Sequence, residues 1–278
     1  MSPFDRSARL KTDQPVSEKE YLEFVQKNVL AWTDVDKQKV KQAIEAVKPK
    51  LAKLALPLPN TIYLIVTTGE EEGGAAYTRG DAIVFSRRQL SGSAKSLEGL
   101  VCHELFHVLS RANPELRERL YGIIGFTKCD ELELPEPLKA RKITNPDAPK
   151  NDHCIQLKID GKPAWAVPVL IARTENYDIA RGGEFFDYMQ FKFALVERGA
   201  DTQQVKLLRQ GNEPALIDGR GAAGYSEQIG RNTGYIIHPE EILAENFRLL
   251  AQGTETVASP EILAKMREIL TAHNETKP

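Results

Sequence analysis

The segment LVCHELFHVL, residues 100–109, carries two histidines four positions apart and a glutamate directly after the first. On an α-helix, residues four apart lie on one face with Cβ atoms about 5–6 Å apart, so His103 and His107 can both reach one zinc ion at about 2.0–2.1 Å. Glu104 is rotated by about 100° from His103 and flanks such an ion, which suits a carboxylate that takes a proton from water. The segment therefore predicts two zinc ligands and a general base on one helix.

A third ligand distinguishes a hydrolytic zinc site from a buried helix with two ordinary histidines, because such a site takes three protein ligands. One known arrangement has a glycine three residues and a histidine six residues after the second motif histidine, but Ser110 and Asn113 occupy these positions. The segment HPEEILAENF, residues 238–247, instead places Glu241 and Glu245 on one helix face. One of them can bind zinc while the other accepts the free ring N–H of a ligating histidine.

A structural interpretation of these acidic residues stays open at this point. Pro239 starts the predicted helix, and Glu240 and Glu241 in its first turn interact favourably with the helix dipole without any metal. Glu245 is equally compatible with a charge on the solvated surface. Ala244 is small and lies on the same face, where it would allow two helices to approach closely.

The composition of the chain excludes several classes of partner. Its 37 basic and 39 acidic residues give a net charge of −2 with no basic stripe, so no nucleic-acid partner is expected. Apolar runs such as residues 164–172 are too short to span a bilayer, and the N-terminus lacks the apolar core of a secretory signal, which favours the cytoplasm. Cys102, Cys129 and Cys154 form no C-x-x-C pair and predict neither a disulfide framework nor a zinc ribbon. No pattern indicates the oligomeric state.

The periodicity of the chain predicts an α+β fold, with a flexible tail over residues 1–16 and a single domain over residues 17–278. Residues 17–124 are expected to hold N-terminal helices, a small β-sheet and the helix of the histidine motif. Capping boxes at Ser17/Glu20 and Thr33/Asp36 predict the starts of the first two helices. Ser96 is the expected N-cap of the motif helix.

The second half of the domain is expected to be richer in strands. Residues 125–237 read as a β-rich insertion with a hairpin turn at residues 160–161, a strand over residues 185–197 and a mobile glycine-rich loop over residues 219–234. Residues 238–278 are expected to form the helix of the third ligand and a C-terminal helix.

Two motifs resemble the gluzincin branch of zinc metalloproteases, the thermolysin-like zincins. The likeness rests on HELFH, residues 103–107, and on the downstream EEILAEN, residues 240–246. The order of helices and strands before the first motif extends it to roughly residues 17–124 and 235–252. The resemblance implies a zincin-like metalloprotease fold into which the β-rich region is inserted.

The resemblance also assigns a role to each residue of the site. It implies that His103, His107 and Glu241 hold Zn²⁺ and that Glu104 is the general base. Glu245 would then support one of the ligating histidines. The implied activity is hydrolysis of a peptide bond in a peptide or protein substrate. Independently of the resemblance, the strand at residues 74–79 is equally compatible with pairing to a substrate backbone and with an ordinary hairpin.

The oxyanion that forms during peptide hydrolysis needs a hydrogen-bond donor. Tyr235 and His238, just ahead of the second motif, are the catalytic candidates for this role, and Tyr225 is a further one. Each has a structural alternative, since a tyrosine beside apolar residues is often a core residue and His238 can cap the following helix. Two other functions stay open: an amidase or deacylase that acts on a small substrate with the same three ligands, and an inactive zincin-like binding protein that is zinc-stabilised or metal-free. Glu104 argues against the inactive protein, because a structural zinc site needs no base.

Overall fold

The structure is a computed structural model that describes residues 1–200, 202–254 and 256–272. The chain divides into two units, whereas one domain was expected over residues 17–278. Unit 1 comprises Met1–Lys27 and Gly125–Ile229, and unit 2 comprises Asn28–Ile124 and the chain from Gly230 onward. Helices and strands occur in both units, which confirms the predicted α+β class.

The helices and strands are named here in chain order. They are α1 (Pro3–Arg9), α2 (Glu18–Asn28), α3 (Asp34–Leu51), β1 (Tyr63–Thr67), β2 (Tyr77–Arg79), β3 (Ala82–Ser86), α4 (Ala94–Ala112), α5 (Pro114–Ile123), β4 (Phe126–Lys128), α6 (Glu136–Lys139), β5 (His153–Ile159), β6 (Lys162–Ala172), β7 (Met189–Arg198), β8 (Val205–Leu207), β9 (Arg209–Gln210), β10 (Glu213–Pro214), β11 (Leu216–Asp218), α7 (Tyr225–Ile229), α8 (Pro239–Ala251) and α9 (Pro260–Ala272). The last six residues of the predicted C-terminal segment, 273–278, lie outside the described residues.

The N-terminal segment of unit 1 is a helix, which corrects the prediction of a flexible tail. Helix α1 begins after Ser2, whose hydroxyl accepts a hydrogen bond from the Asp5 N–H at 3.0 Å. Asp5 also forms a fully buried ion pair with Arg9, and the Arg9 guanidinium lies 4.0 Å from the centre of the Phe185 ring. The contact between Arg9 and Phe185 joins residues 176 positions apart (185 − 9 = 176), so the local composition gave no sign of it.

Unit 1 contains an antiparallel sheet in the order β11-β7-β6-β5-β4, with β8 also paired to β7. The β5–β6 hairpin turns at Asp160 and Gly161, which have φ angles of 49° and 76°. Two successive residues with positive φ form the type of turn whose twist matches that of the strands, and Asp-Gly favours it. The predicted hairpin at residues 160–161 is therefore confirmed.

Two local predictions in unit 1 need correction. The predicted strand over residues 185–197 is confirmed from Met189 onward, where β7 begins. Residues Phe185–Tyr188 ahead of it form a turn of 3-10 helix, which a reciprocal capping box of Glu184 and Asp187 stabilises. The glycine-rich segment 219–234 contains helix α7 and is not a continuous loop. Tyr225 in α7 is buried against the Phe126, Phe191 and Phe193 rings. It is therefore a core residue, which was the structural interpretation of this tyrosine.

Unit 2 contains a three-stranded sheet in the order β1-β3-β2, in which β1 is parallel and β2 antiparallel to β3. Strand β2 lies at an edge of this sheet. Helices α3 and α4 share an apolar core with the sheet. Its buried members include Val40, Val66, Phe85, Leu97, Val101 and Val108.

The helices of unit 2 start at defined caps. Both predicted capping boxes are present, at Ser17/Glu20 before α2 in unit 1 and at Thr33/Asp36 before α3 in unit 2. The motif helix α4 starts earlier than predicted, because Ser93 is its N-cap and accepts the Ser96 N–H at 3.2 Å. Within the described part of the chain, no helix has both the length and the apolar sequence needed to cross a bilayer.

Candidate metal centre

Helix α4 presents both motif histidines from one face. The rings of His103 and His107 have centres 4.8 Å apart and are nearly perpendicular to each other. His107 is fully buried, whereas the side chain of His103 keeps 12% of its surface exposed. The four-residue spacing thus brings the two imidazoles together as predicted, with one deep in unit 2 and one nearer to solvent.

Helix α8 packs against α4 and brings Glu241 to the two imidazoles. Its Oε2 atom lies 3.2 Å from His103 Nε2 and 3.7 Å from His107 Nε2. Phe106 of α4 and Phe247 of α8 are both fully buried with ring centres 5.7 Å apart, so an apolar contact beside the site helps to hold the helices together. The spacing of the polar atoms therefore depends on the packing of two helices that are distant in sequence.

The three groups fit a zinc ion in donor type and spacing. Each offers one ligand atom, and these atoms all lie within 4.8 Å of one another. A tetrahedral zinc ion with bonds of about 2.0–2.1 Å separates its ligand atoms by roughly 3.3–3.4 Å. This separation lies between the two Glu241–imidazole distances of 3.2 and 3.7 Å. Two imidazole nitrogens and one carboxylate oxygen are also a ligand set that zinc takes in hydrolytic sites.

Glu245 contacts Nδ1 of His103, the ring nitrogen that does not face Glu241. Its Oε1 lies 2.9 Å from His103 Nδ1, and Arg248 Nη2 donates to its Oε2 at 2.7 Å. Burial raises the pKa of Glu245, but the hydrogen bonds from His103 and Arg248 outweigh it and lower the pKa to about 2. Burial likewise lowers the pKa of His103, and its hydrogen bonds to Glu241 and Glu245 reverse this effect and raise the pKa well above its ordinary value. A carboxylate at Nδ1 leaves Nε2 directed at Glu241.

Glu240 contacts His107 in the same way, and sequence reasoning missed this role. Its Oε1 lies 2.9 Å from His107 Nδ1, while its Oε2 accepts hydrogen bonds from Ser110 Oγ at 2.7 Å and from the Tyr121 hydroxyl. Burial raises the pKa of Glu240, but hydrogen bonds from His107, Tyr121 and Ser110 outweigh it and lower the pKa below its ordinary value. The adjacent pair Glu240-Glu241 was the only sequence signal, and it fits the helix dipole equally well.

The helix dipole does not account for the position of Glu240. A favourable charge–dipole interaction contributes about 0.3–1 kcal/mol at a solvated helix end, whereas burying a charge costs several kcal/mol unless it is hydrogen-bonded. Glu240 is only 3% exposed. Its burial is explained by the three side-chain donors that surround it.

Glu104 lies beside the two histidines but is not one of the three residues whose ligand atoms converge, which are His103, His107 and Glu241. Its Oε2 accepts a hydrogen bond from Thr78 Oγ1 of strand β2 at 2.9 Å. Burial raises the pKa of Glu104 above its ordinary value, while the nearby His107 and His103 imidazoles and the Thr78 hydroxyl oppose the shift. The edge strand β2 thus contacts the predicted base directly, a contact that the spacing of the motif did not indicate.

The two predicted oxyanion donors lie in different surroundings. Tyr235 is 40% exposed, and its ring stacks beside His103 with centres 6.4 Å apart. His238 is buried and is the N-cap of α8, where its Nδ1 accepts the Glu240 N–H at 3.1 Å. His238 therefore caps the helix, as the structural interpretation of this residue predicted. The donor roles of Tyr235 and His238 stay predictions.

Comparison with known proteins gives one partial match. A family model described as the eCIS core domain matches residues 68–115. The matched segment includes β2, β3 and all of α4, and so it contains His103, Glu104 and His107; Glu241 lies outside it. No curated protein and no solved structure matches the chain.

Proposed function

We propose that the chain is a zinc-dependent metallopeptidase with a zincin-like fold in unit 2. The observation that carries the proposal is the convergence of the His103, His107 and Glu241 ligand atoms within 4.8 Å of one another, with the buried carboxylate of Glu104 beside them. The match of the eCIS core domain to the segment around α4 supports this indirectly. Peptides or proteins are the proposed substrates, and the cytoplasm stays the predicted location.

The proposed division of labour follows from the surroundings of each side chain. His103, His107 and Glu241 would hold the zinc ion, which when bound supplies Lewis acidity for activating water and polarising a carbonyl group. Glu104 takes a proton from the attacking water and passes it to the leaving amine. Its burial favours this role, because burial raises the pKa of the carboxyl group and makes it a stronger base toward the proton of the water.

The other residues orient the reacting groups and the substrate. Glu245 keeps the His103 ring turned toward Glu241 through the Nδ1 contact. Tyr235 is the better placed of the two predicted oxyanion donors, because it is exposed beside His103 whereas His238 is buried. Strand β2 is the element on which substrate backbone pairing is proposed, since it lies at a sheet edge and contacts Glu104 through Thr78.

The proposal is tested by metal analysis combined with cleavage of a mixed peptide library. We expect the purified chain to hold one equivalent of zinc and to cleave peptides. Glu104→Gln keeps the shape of the side chain and should retain the metal while losing about 10²–10⁴-fold in kcat/KM, the usual contribution of a general base. Wild-type protein that binds zinc and cleaves no peptide contradicts the peptidase proposal.

Two further arms separate the alternatives. A panel of N-acylated small amides, assayed in parallel, identifies an amidase or deacylase if these are cleaved and peptides are not. Glu241→Ala should abolish zinc binding, whereas Glu245→Ala should weaken it by about 10–100-fold, the usual effect of removing a carboxylate that supports a ligating histidine. The opposite order would assign Glu245 as the ligand.

A further inference from the structure

The surroundings of His107 differ from those of His103 in one respect that matters for metal binding. Glu245, which hydrogen-bonds His103, is partly exposed to solvent, with 20% of its side-chain surface accessible. His107 and its partner Glu240 are exposed by only 0% and 3%. A buried carboxylate with fixed donors holds a ring more rigidly than one that exchanges partners with water.

Glu240 is fixed by donors from two other helices. Ser110 lies on α4, one turn after His107, and its hydroxyl donates to Glu240 Oε2 at 2.7 Å. Tyr121 lies on α5, and its hydroxyl donates to the same oxygen. The remaining oxygen, Oε1, faces His107 Nδ1 at 2.9 Å. The carboxylate therefore connects α4, α5 and α8.

This connection determines which ring nitrogen of His107 can face the cluster of ligand atoms. A charged carboxylate accepts hydrogen bonds and donates none, so the Nδ1 next to Glu240 has to carry the hydrogen. The Nε2 atom of the neutral ring then keeps its lone pair, and this atom points toward Glu241 at 3.7 Å. A ligating imidazole needs this arrangement.

We propose that Glu240, held by Ser110 and Tyr121, is a positioning residue that fixes the tautomer and orientation of His107 for metal binding. The proposal rests on the proposed zinc site, and it makes α5 part of the metal-binding machinery although α5 supplies no ligand. Loss of any one of the three side chains then weakens the site without removing a ligand atom.

The test measures zinc affinity of the full chain at fixed pH by competition with a chromogenic chelator. The variants are Glu240→Gln, Tyr121→Phe and Ser110→Ala. We expect Glu240→Gln to raise the zinc Kd by about 10–100-fold, as removal of such supporting groups does, and the two hydroxyl deletions to raise it by smaller factors. The absorption spectrum of the Co²⁺-loaded protein should change in the same order, because it reports ligand orientation.

A control variant separates positioning from general loss of stability. Asn246 lies on α8, is fully buried and hydrogen-bonds the Ile242 carbonyl and the Asn232 side chain. Asn246→Ala should lower the thermal midpoint of the metal-free protein while leaving the zinc Kd within about twofold, since the groups around His107 stay in place. Tyr121→Phe keeps the size of the side chain, so its result stands even where Glu240→Gln folds poorly.

The outcomes for this inference and for the proposed function are distinct. Zinc affinities of Glu240→Gln and Tyr121→Phe equal to that of the wild type overturn the positioning role, even where the protein is an active peptidase. Weakened affinities in a protein that cleaves no peptide support the positioning role and contradict the proposed activity. Wild-type protein that binds no zinc contradicts both.

Discussion

At the scale of single residues, the carboxylates around the metal centre differ in what surrounds them. Glu245 meets a guanidinium and an imidazole, and these hydrogen bonds lower its pKa to about 2. Glu104 meets a neutral hydroxyl, and burial raises its pKa. The same chemical group is thereby suited to a permanently charged support in one place and to proton transfer in the other.

Thr78 is expected to orient Glu104 for proton transfer. Its hydroxyl donates to Glu104 Oε2 at 2.9 Å, and hydrogen bonds to charged groups contribute about 1.5–3 kcal/mol. Thr78→Val removes the hydroxyl at nearly constant volume and should lower kcat about tenfold, with KM and zinc content unchanged. Peptide-cleavage kinetics on metal-loaded protein provide the measurement.

The matched variant for this prediction is Thr78→Ser. It keeps the donor oxygen and should restore most of kcat, because only a methyl group is lost. Equal kcat values for Thr78→Val and the wild type would show that the contact seen in the structure does not orient the base during the reaction.

At the scale of elements, the start of α4 illustrates how a local rule selects between neighbouring residues. Ser93 and Ser96 both satisfy the residue preference of an N-cap, and Ser96 was predicted. In the structure, Ser93 has extended backbone angles and accepts the Ser96 N–H, so Ser96 lies in the first turn. The extra turn is formed by Ala94, Lys95 and Ser96, and it ends where the apolar contacts of Leu97 begin.

Ser93→Ala is expected to destabilise unit 2 by about 1 kcal/mol, the usual contribution of an N-cap hydrogen bond. Ser96→Ala should cost less, because it keeps the Ser96 N–H that Ser93 caps and loses only an exposed contact of 2.8 Å between the two hydroxyls. The free energy of unfolding is measured in urea by the fluorescence of Trp32 in a Trp165→Phe background. Trp32 reports on unit 2, because its indole donates a hydrogen bond to the Leu64 carbonyl there. A larger loss for Ser96→Ala would assign the cap to Ser96.

At the scale of the whole molecule, the candidate metal centre belongs to unit 2, although the proposed ligands His103 and Glu241 lie 138 residues apart in sequence. The segments that contain α4 and α8 flank the part of the chain that forms most of unit 1. A metal bound between these two helices is expected to stabilise the folded form of unit 2, because the unfolded chain does not hold the three ligands together.

Removing the metal is therefore expected to lower the melting temperature reported by Trp32. Free zinc at about 100 times its Kd contributes about 2.7 kcal/mol, or about 5–10 °C in a chain of this size. Thermal unfolding with and without a chelator, and after zinc is added back, measures the shift. Glu241→Ala is the control and should show no difference between the two conditions; a full shift in this variant would place the stabilising metal elsewhere.

The successes and failures of prediction follow the range of the interactions involved. The two capping boxes and the Asp160-Gly161 turn depend on residues within three or four positions, and these were predicted correctly. The burial of α1 and the role of Glu240 depend on partners more than 100 positions away, and these were missed. The 3-10 turn at Phe185–Tyr188 is an exception, because it was missed although its caps, Glu184 and Asp187, are local.

The sequence by itself determined that His103 and His107 share one helix face with Glu104 beside them, because a four-residue spacing has one geometric meaning on an α-helix. It left two glutamates as possible third ligands. Only the tertiary structure brought Glu241 to both imidazoles, set Glu245 and Glu240 behind the two rings, and placed Thr78 against Glu104. These contacts arise from the packing of α4, α5, α8 and β2, and packing between distant segments leaves no periodic signal in the chain.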